Sequence, residues 1–243
     1  MSSPGNKAAM GRVLLISDDS VSIQQVATGM QEWAIATEVS NEISMALGLL
    51  NRQKFEAVVV DFGLGQAREI LGQVRLSPSN RTAVTFAIVD RQTSASVRIQ
   101  PTFVMEAPLS AKTVRRTFKA AFGLIVRERR RSFRCPVTIA AVVLTEGKEA
   151  RCHVVNISEG GTAIAGSPAV KPGGQVRVQF TLPGQRDRFA VASEVCWCDE
   201  QGRAGLRSLT MPSEQKLALQ EWLAARLEED LPESVASQFR EKV

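Results

Sequence analysis

Residues 127–134 read Arg-Glu-Arg-Arg-Arg-Ser-Phe-Arg, five guanidinium groups within eight positions. Downstream, Asn156-Ile157-Ser158-Glu159-Gly160-Gly161 supplies an amide, a hydroxyl and two glycines. A guanidinium is a planar fork of donors that matches phosphate oxygens or the acceptor edge of guanine two at a time, which a lysine ammonium cannot do. Arg130 and Arg134, four residues apart, can address separate groups of one ligand, with Arg129 preceding them. Asn156 and Ser158 end a strand, where short polar side chains reach a base or phosphate, and Gly161 lets backbone approach without a Cβ clash. Each residue also has a plainer role: Asn156 and Ser158 can stabilise their own turn, and an arginine run can be a solvated face or linker.

A second constellation is acidic. Asp18 and Asp19 follow a first apolar run and Asp61 ends a third. Carboxylates gathered at the carboxyl ends of parallel strands make a hard-cation site suited to Mg²⁺. Their alternative is to cap helices or solvate strand ends. The four cysteines, Cys135, Cys152, Cys196 and Cys198, lack the spacing of a zinc site and fall within strands, so they read as small reduced core residues. His153 is the only histidine.

The chain has 243 residues and a formal net charge of +5, enough length for two modest domains. Residues 1–126 carry +3, residues 127–134 carry +4 and residues 135–243 carry −2. One compact cluster therefore holds most of the excess, which suits a small polyanion better than the diffuse basic face that tracks a polynucleotide. No run of ~18 apolar residues occurs, so no membrane span is expected and the predicted location is the cytoplasm.

The elements that must position these groups come in two textures. Up to residue 123, apolar runs alternate with helical periodicity: strands over 12–16, 34–39, 56–60, 83–89 and 102–105, with helices from Ser20, over 40–52 with Ser40 or Asn41 as cap, over 67–75, a short one over 94–99, and over 110–122. That alternation predicts an α/β domain, a doubly wound parallel sheet, over 11–123. A basic linker follows over 124–131. Short β-rich runs punctuated by glycine then occupy 136–144, 150–156, 161–165, 175–182, 188–197 and 203–209. Six such strands predict a small antiparallel barrel over 132–229, closing in a helix whose Leu217, Leu219, Trp222, Leu223 and Leu227 form an apolar face for the barrel or for a second copy of the chain. A polar tail occupies 230–243.

The arginine segment and the Asn-x-Ser-x-x-Gly turn, in this order and one strand pair apart, resemble the Arg-x-x-x-Arg and Asp/Asn-x-Ser-x-x-Gly motifs of the PilZ family. The resemblance implies a receptor for cyclic di-GMP without catalysis of its own, with Arg129, Arg130, Arg134, Asn156, Ser158 and Gly161 as binding residues. Residues 11–123 resemble two-component receiver domains, which implies Mg²⁺ at Asp18, Asp19 and Asp61 and phosphorylation of Asp61. Two family features are absent: Ala107 stands where the lysine is expected, and Val89 or Asp90 where the hydroxyl is expected. A pseudo-receiver used for docking or dimerisation is therefore preferred.

The leading reading is a cyclic di-GMP effector whose arginine linker, repelling itself when free, is pinned to the barrel by a dianionic ligand, so that the domains reorient and protein contacts change. The resemblance allows a flagellar motor, a pilus or polysaccharide machine, or a transcription apparatus as partner. One alternative is a phosphorylation-dependent response regulator with cyclic di-GMP as co-input; another is a polynucleotide binder, disfavoured by the acidic balance after residue 134. No nucleophile–base pair or phosphate-binding glycine loop with lysine points to an enzyme.

Overall fold

The computed structural model describes residues 9–90, 101–145, 147–166, 170–229, 231 and 233–240. The short helix expected over 94–99 lies outside the described residues. Two compact units emerge, one running to Arg129 and including the C-terminal segment, the other Arg130–Glu229.

In the first unit, β1 (Gly11–Ile16), β2 (Ile35–Ser40), β3 (Ala57–Asp61), β4 (Val84–Val89) and β5 (Phe103–Glu106) pair in parallel in the order β2-β1-β3-β4-β5. Every residue of β4 and the first four of β3 are buried, as strands covered on both faces require. Helices α2 (Ile43–Arg52) and α3 (Ala67–Leu76) share a core with Leu14, Ile16, Val58 and Val60. Helices α1 (Ser20–Gln31) and α4 (Ala111–Ser132) meet elsewhere in the unit, so closely that a methyl group on Gly29 would lie 2.7 Å from Val114. Phe86 on β4 stacks on Phe118 of α4 with ring centroids 4.3 Å apart.

Three local expectations change. Helix α2 begins at Ile43, after Glu42, without a side-chain cap; Ser40 is the last residue of β2 and its hydroxyl donates to the Glu42 carbonyl instead, at 2.8 Å. Helix α4 does not stop near residue 122 but continues through the arginines to Ser132. Ile125, Val126 and Glu128 are buried on it. The Glu128 carboxylate accepts from Lys54 Nζ at 3.1 Å and Thr82 Oγ1 at 2.8 Å. Arginine is a good helix former, and basic residues in a last turn complement the helix dipole, so the charge run read as a free linker is written on a helix. The C-terminal segment, read as a polar tail, likewise forms α6 (Glu233–Arg240) with Val235 and Ala236 buried.

The second unit closes six antiparallel strands into a barrel: β6 (Cys135–Thr145), β7 (Lys148–Ser158), β8 (Gly161–Ala165), β9 (Gln175–Thr181), β10 (Arg188–Cys198) and β11 (Arg203–Thr210), in the order β10-β11-β8-β7-β6-β9. Alternate residues point inward, with Val143, Val154, Ile164 and Val178 fully buried, the period-two pattern of a barrel wall. Cys135 and Cys152 belong to that interior, whereas Cys196 and Cys198 are exposed, contrary to the core role expected of all four. With Phe189, Val191 and Val195 inward, the alternation of β10 itself puts both thiols on the outer face, and the register shift between Val195 and Trp197 leaves Trp197 exposed as well. Helix α5 (Ser213–Glu229) packs on the barrel with Leu219, Trp222, Leu223 and Leu227 buried, while Leu217 stays exposed. Trp222 Nε1 donates to the Pro183 carbonyl at 3.1 Å, and Gln215 bridges Ala190 N and the Arg188 carbonyl.

Gly161 is where closure is tightest. A Cβ there would sit 2.0 Å from the Leu206 carbonyl oxygen of β11. Backbone cannot yield as a flexible side chain does, so Gly161→Ala is expected to destabilise the barrel by about 1–3 kcal/mol, read as a lower denaturation midpoint; an unchanged midpoint would show that the β8–β11 approach is not needed for closure.

Candidate functional site

Strand pairing assembles the motif residues. Cys135 on β6 pairs with Ile157 on β7, and Pro136 with Asn156. Cys135 and Ile157 face the interior, so Pro136 and Asn156 lie on the outer side, and Arg134, one residue before β6, comes level with Ser158 at the end of β7. Residues directly opposite on an antiparallel pair share a face. Arg134 is exposed on the short connection between α4 and β6. Arg130, half-buried, is the first residue of the second unit, and Arg129 is the last of the first unit's long segment.

The polar atoms of the turn divide into satisfied and unsatisfied. Ser158 is 5% exposed and its hydroxyl donates to the Gly161 carbonyl at 3.0 Å, so it holds the β7–β8 turn, keeping lone pairs for accepting. Gly161, as the barrel closure shows, is required by the backbone of β11. Asn156 differs: its Oδ1 is buried and has no hydrogen-bond partner. A buried acceptor without a donor costs about 1–3 kcal/mol, and such an atom, one residue row from the level of Arg134, is a place where a ligand donor belongs.

Three residues not singled out in the sequence join this place. Burial pulls the Arg130 guanidinium below its ordinary range, while Glu228 of α5 and Glu159 of the turn favour its charge. Glu159 also accepts a hydrogen bond from Gln220 Nε2 of α5 at 3.4 Å. Helix α5 therefore supplies both a carboxylate and an amide next to the motif. Glu159 stood inside the motif turn, but nothing in the spacing of Gln220 and Glu228 pointed to it.

Residues 128–225 match the family model described as the PilZ domain. The barrel is a PilZ domain. The match spans the arginine segment, all six strands and most of α5. No curated protein matches the chain. Among solved structures, the Bacillus subtilis inhibitor of motility MotI/DgrA is 20% identical over 38% of this chain and 48% of its own, with a TM-score of 0.34; this chain thus spans about half its length. The Borreliella burgdorferi PlzA protein, solved in complex with c-di-GMP, is 12% identical over 48% and 50%, with a TM-score of 0.32. A response regulator from Thermotoga maritima is 14% identical over 47% and 96%, with a TM-score of 0.40.

Outside the PilZ domain, the acidic residues of the parallel-sheet unit are engaged locally. Asp19 caps α1, accepting from Ser22 N at 3.0 Å and Val21 N at 3.3 Å, and hydrogen bonds from Ser22 hold its carboxyl below the ordinary carboxylate range. Asp61 accepts from Ser17 Oγ at 2.7 Å and Gly63 N at 2.9 Å. Asp18 is exposed. Among the described residues, no group of three or more His, Cys, Asp or Glu side chains is arranged to hold a metal ion. No helix among the described residues is long and apolar enough to cross a membrane. With both Asp61 oxygens already accepting and Ala107 in the lysine position, incubation with acetyl phosphate and Mg²⁺ is expected to leave the intact mass unchanged; a phosphoryl adduct that disappears in Asp61→Asn would overturn the pseudo-receiver reading.

Proposed function

We propose that the chain is a cyclic di-GMP-binding effector. The observation that supports this reading is a buried, partnerless Asn156 Oδ1 on the outer side of the β6–β7 pair, at the end of that pair where the arginine segment enters β6. Cyclic di-GMP offers phosphodiester oxygens and guanine acceptor edges to Arg130 and Arg134, and guanine N–H donors to the Asn156 oxygen, which has none. Arg129 adds a further guanidinium at the end of the first unit, Ser158 retains acceptor capacity, and Gly161 shapes the turn. A dianionic ligand has to compete with Glu159 and Glu228 for Arg130, so binding also alters what α5 touches.

Helix α4 runs to Arg129 in one unit and ends in the other. Ligand phosphates that recruit guanidiniums on both sides of that division change the arrangement of the two units, and through it the protein contacts the chain makes. The partner is a protein rather than a polynucleotide, since the basic excess is confined to this one cluster.

Titration calorimetry with cyclic di-GMP, with GTP and single-stranded DNA as controls, tests the site. Arg130→Ala and Arg134→Ala are each expected to cost about 2–5 kcal/mol of binding. Asn156→Ala is expected to weaken binding while leaving the denaturation midpoint unchanged or raised, because it removes a polar atom that has no partner within the barrel. Wild-type affinity in all three variants would end the assignment. For the rearrangement, small-angle scattering should change at saturating ligand, and superimposable profiles with and without it would remove that step.

A further inference from the structure

The outer face of the barrel carries a second constellation, further along β6 and β7 from the motif residues. Ala140 on β6 pairs with His153 on β7. On the other side, Ala141 pairs with Phe180 of β9, so Ala140 comes level with Thr181, which pairs with Arg188 of β10. One row on, Val142 lies between Arg151 of β7 and Gln179 of β9. Small residues on the middle strand and long ones on both flanks make a groove of about 630 Å³, floored by Ala140 and Val142. Its walls stand two strand spacings apart, about 10 Å, the width of one extended chain.

The charges on those walls are unbalanced. On the barrel and its helix, three arginines hold carboxylates, Arg203 with Asp199, Arg207 with Glu194 and Arg226 with Glu229, while Arg177 and Arg186 are exposed away from the groove without an ion pair among the described residues. Arg151 and Arg188 are exposed, and among the described residues neither side chain has an ion-pair partner. Glu149, next on the same face of β7 and opposite Leu144, lines the far end of the row without pairing with Arg151. Arg151 on β7 and Arg188 on β10, one residue row apart along the strands, thus both line the groove with their donors open.

We propose that this groove docks an extended acidic segment of a partner protein, lying along β6 with apolar side chains on Ala140 and Val142 and carboxylates on Arg151 and Arg188. A peptide is favoured over a nucleic acid for two reasons. Phe180 is buried in the barrel at 2% exposure, which leaves His153 as the one ring lining the groove and no series of rings on which successive bases could stack. The basic walls also span only two residue rows, too short to follow a phosphate backbone. The surface does not overlap Arg130, Arg134 or Asn156, and the inference holds whether or not those residues bind cyclic di-GMP.

Fluorescence anisotropy on the full chain tests it with a labelled decapeptide of alternating glutamate and alanine, an alternating lysine–alanine peptide and a single-stranded oligonucleotide. The acidic peptide should bind, and Arg151→Ala with Arg188→Ala should weaken it about tenfold, as expected for two partly solvated guanidinium–carboxylate pairs. The double charge reversal Arg151→Glu with Arg188→Glu should exchange the preference to the lysine peptide. Circular dichroism melting of each variant reports folding independently of any ligand, and a cyclic di-GMP titration separates failure of this surface from failure of the motif site. Equal binding of the acidic peptide by wild type and both variants, no binding by any of them, or loss of the oligonucleotide alone in the variants would overturn the proposal.

Discussion

The antiparallel register of β6 on β7 is the constraint on which the candidate site depends. With Cys135 opposite Ile157 and both inside the barrel, Pro136 and Asn156 stand on the outer side and Arg134 arrives beside Ser158. A slip of one residue would exchange the faces, sending Asn156 into the apolar interior and Ile157 into water. The buried side chains of these strands therefore fix the position of the polar ones. The glycine of the motif contributes by the same logic: the backbone of β8 at Gly161 touches β11 at Leu206, which closes the sheet that holds the register.

The arginines are positioned by a different means. Their helix is held through its buried stripe, ending in Ile125, Val126 and Glu128, and the Glu128 carboxylate is satisfied by Lys54 and Thr82. A carboxylate at 5% exposure is tolerable only when paired and hydrogen-bonded in this way. The segment that would be a self-repelling coil in isolation is consequently the end of an anchored helix, and the guanidiniums after Glu128 are presented from a regular element. Ordering entropy that a mobile linker would lose on binding is in that case already lost in folding.

The parallel-sheet unit keeps an architecture while its carboxylates serve local structure. The strand order and the burial of β3 and β4 put Asp18, Asp19 and Asp61 at the carboxyl ends of strands, where chemistry is commonly placed in such sheets. Yet Asp19 caps a helix and Asp61 is held by Ser17 and the backbone of Gly63. Position in a fold and engagement in a site are separate properties.

Much of this was legible in the sequence. Period-two and period-3.6 patterns, glycine turns and apolar runs placed both folds and every described strand to within a few residues, because burial of one face per element is a local property of side-chain order. The two motifs were visible for the same reason: their residues are close in sequence or one hairpin apart. What the chain order could not disclose depended on distant partners. Whether Arg127 to Arg131 were linker or helix turned on Lys54 and Thr82 donating to the carboxylate of Glu128 among them. Whether Cys196 and Cys198 were core turned on which face of β10 the barrel closed over, the face of Val191 and Val195. Which atom of the motif lacked a partner, Asn156 Oδ1 and not the Ser158 hydroxyl, and which arginines of the barrel lacked carboxylates, were decided only when the strands closed, since hydrogen bonds and ion pairs are short-ranged and their partners are chosen by tertiary contact.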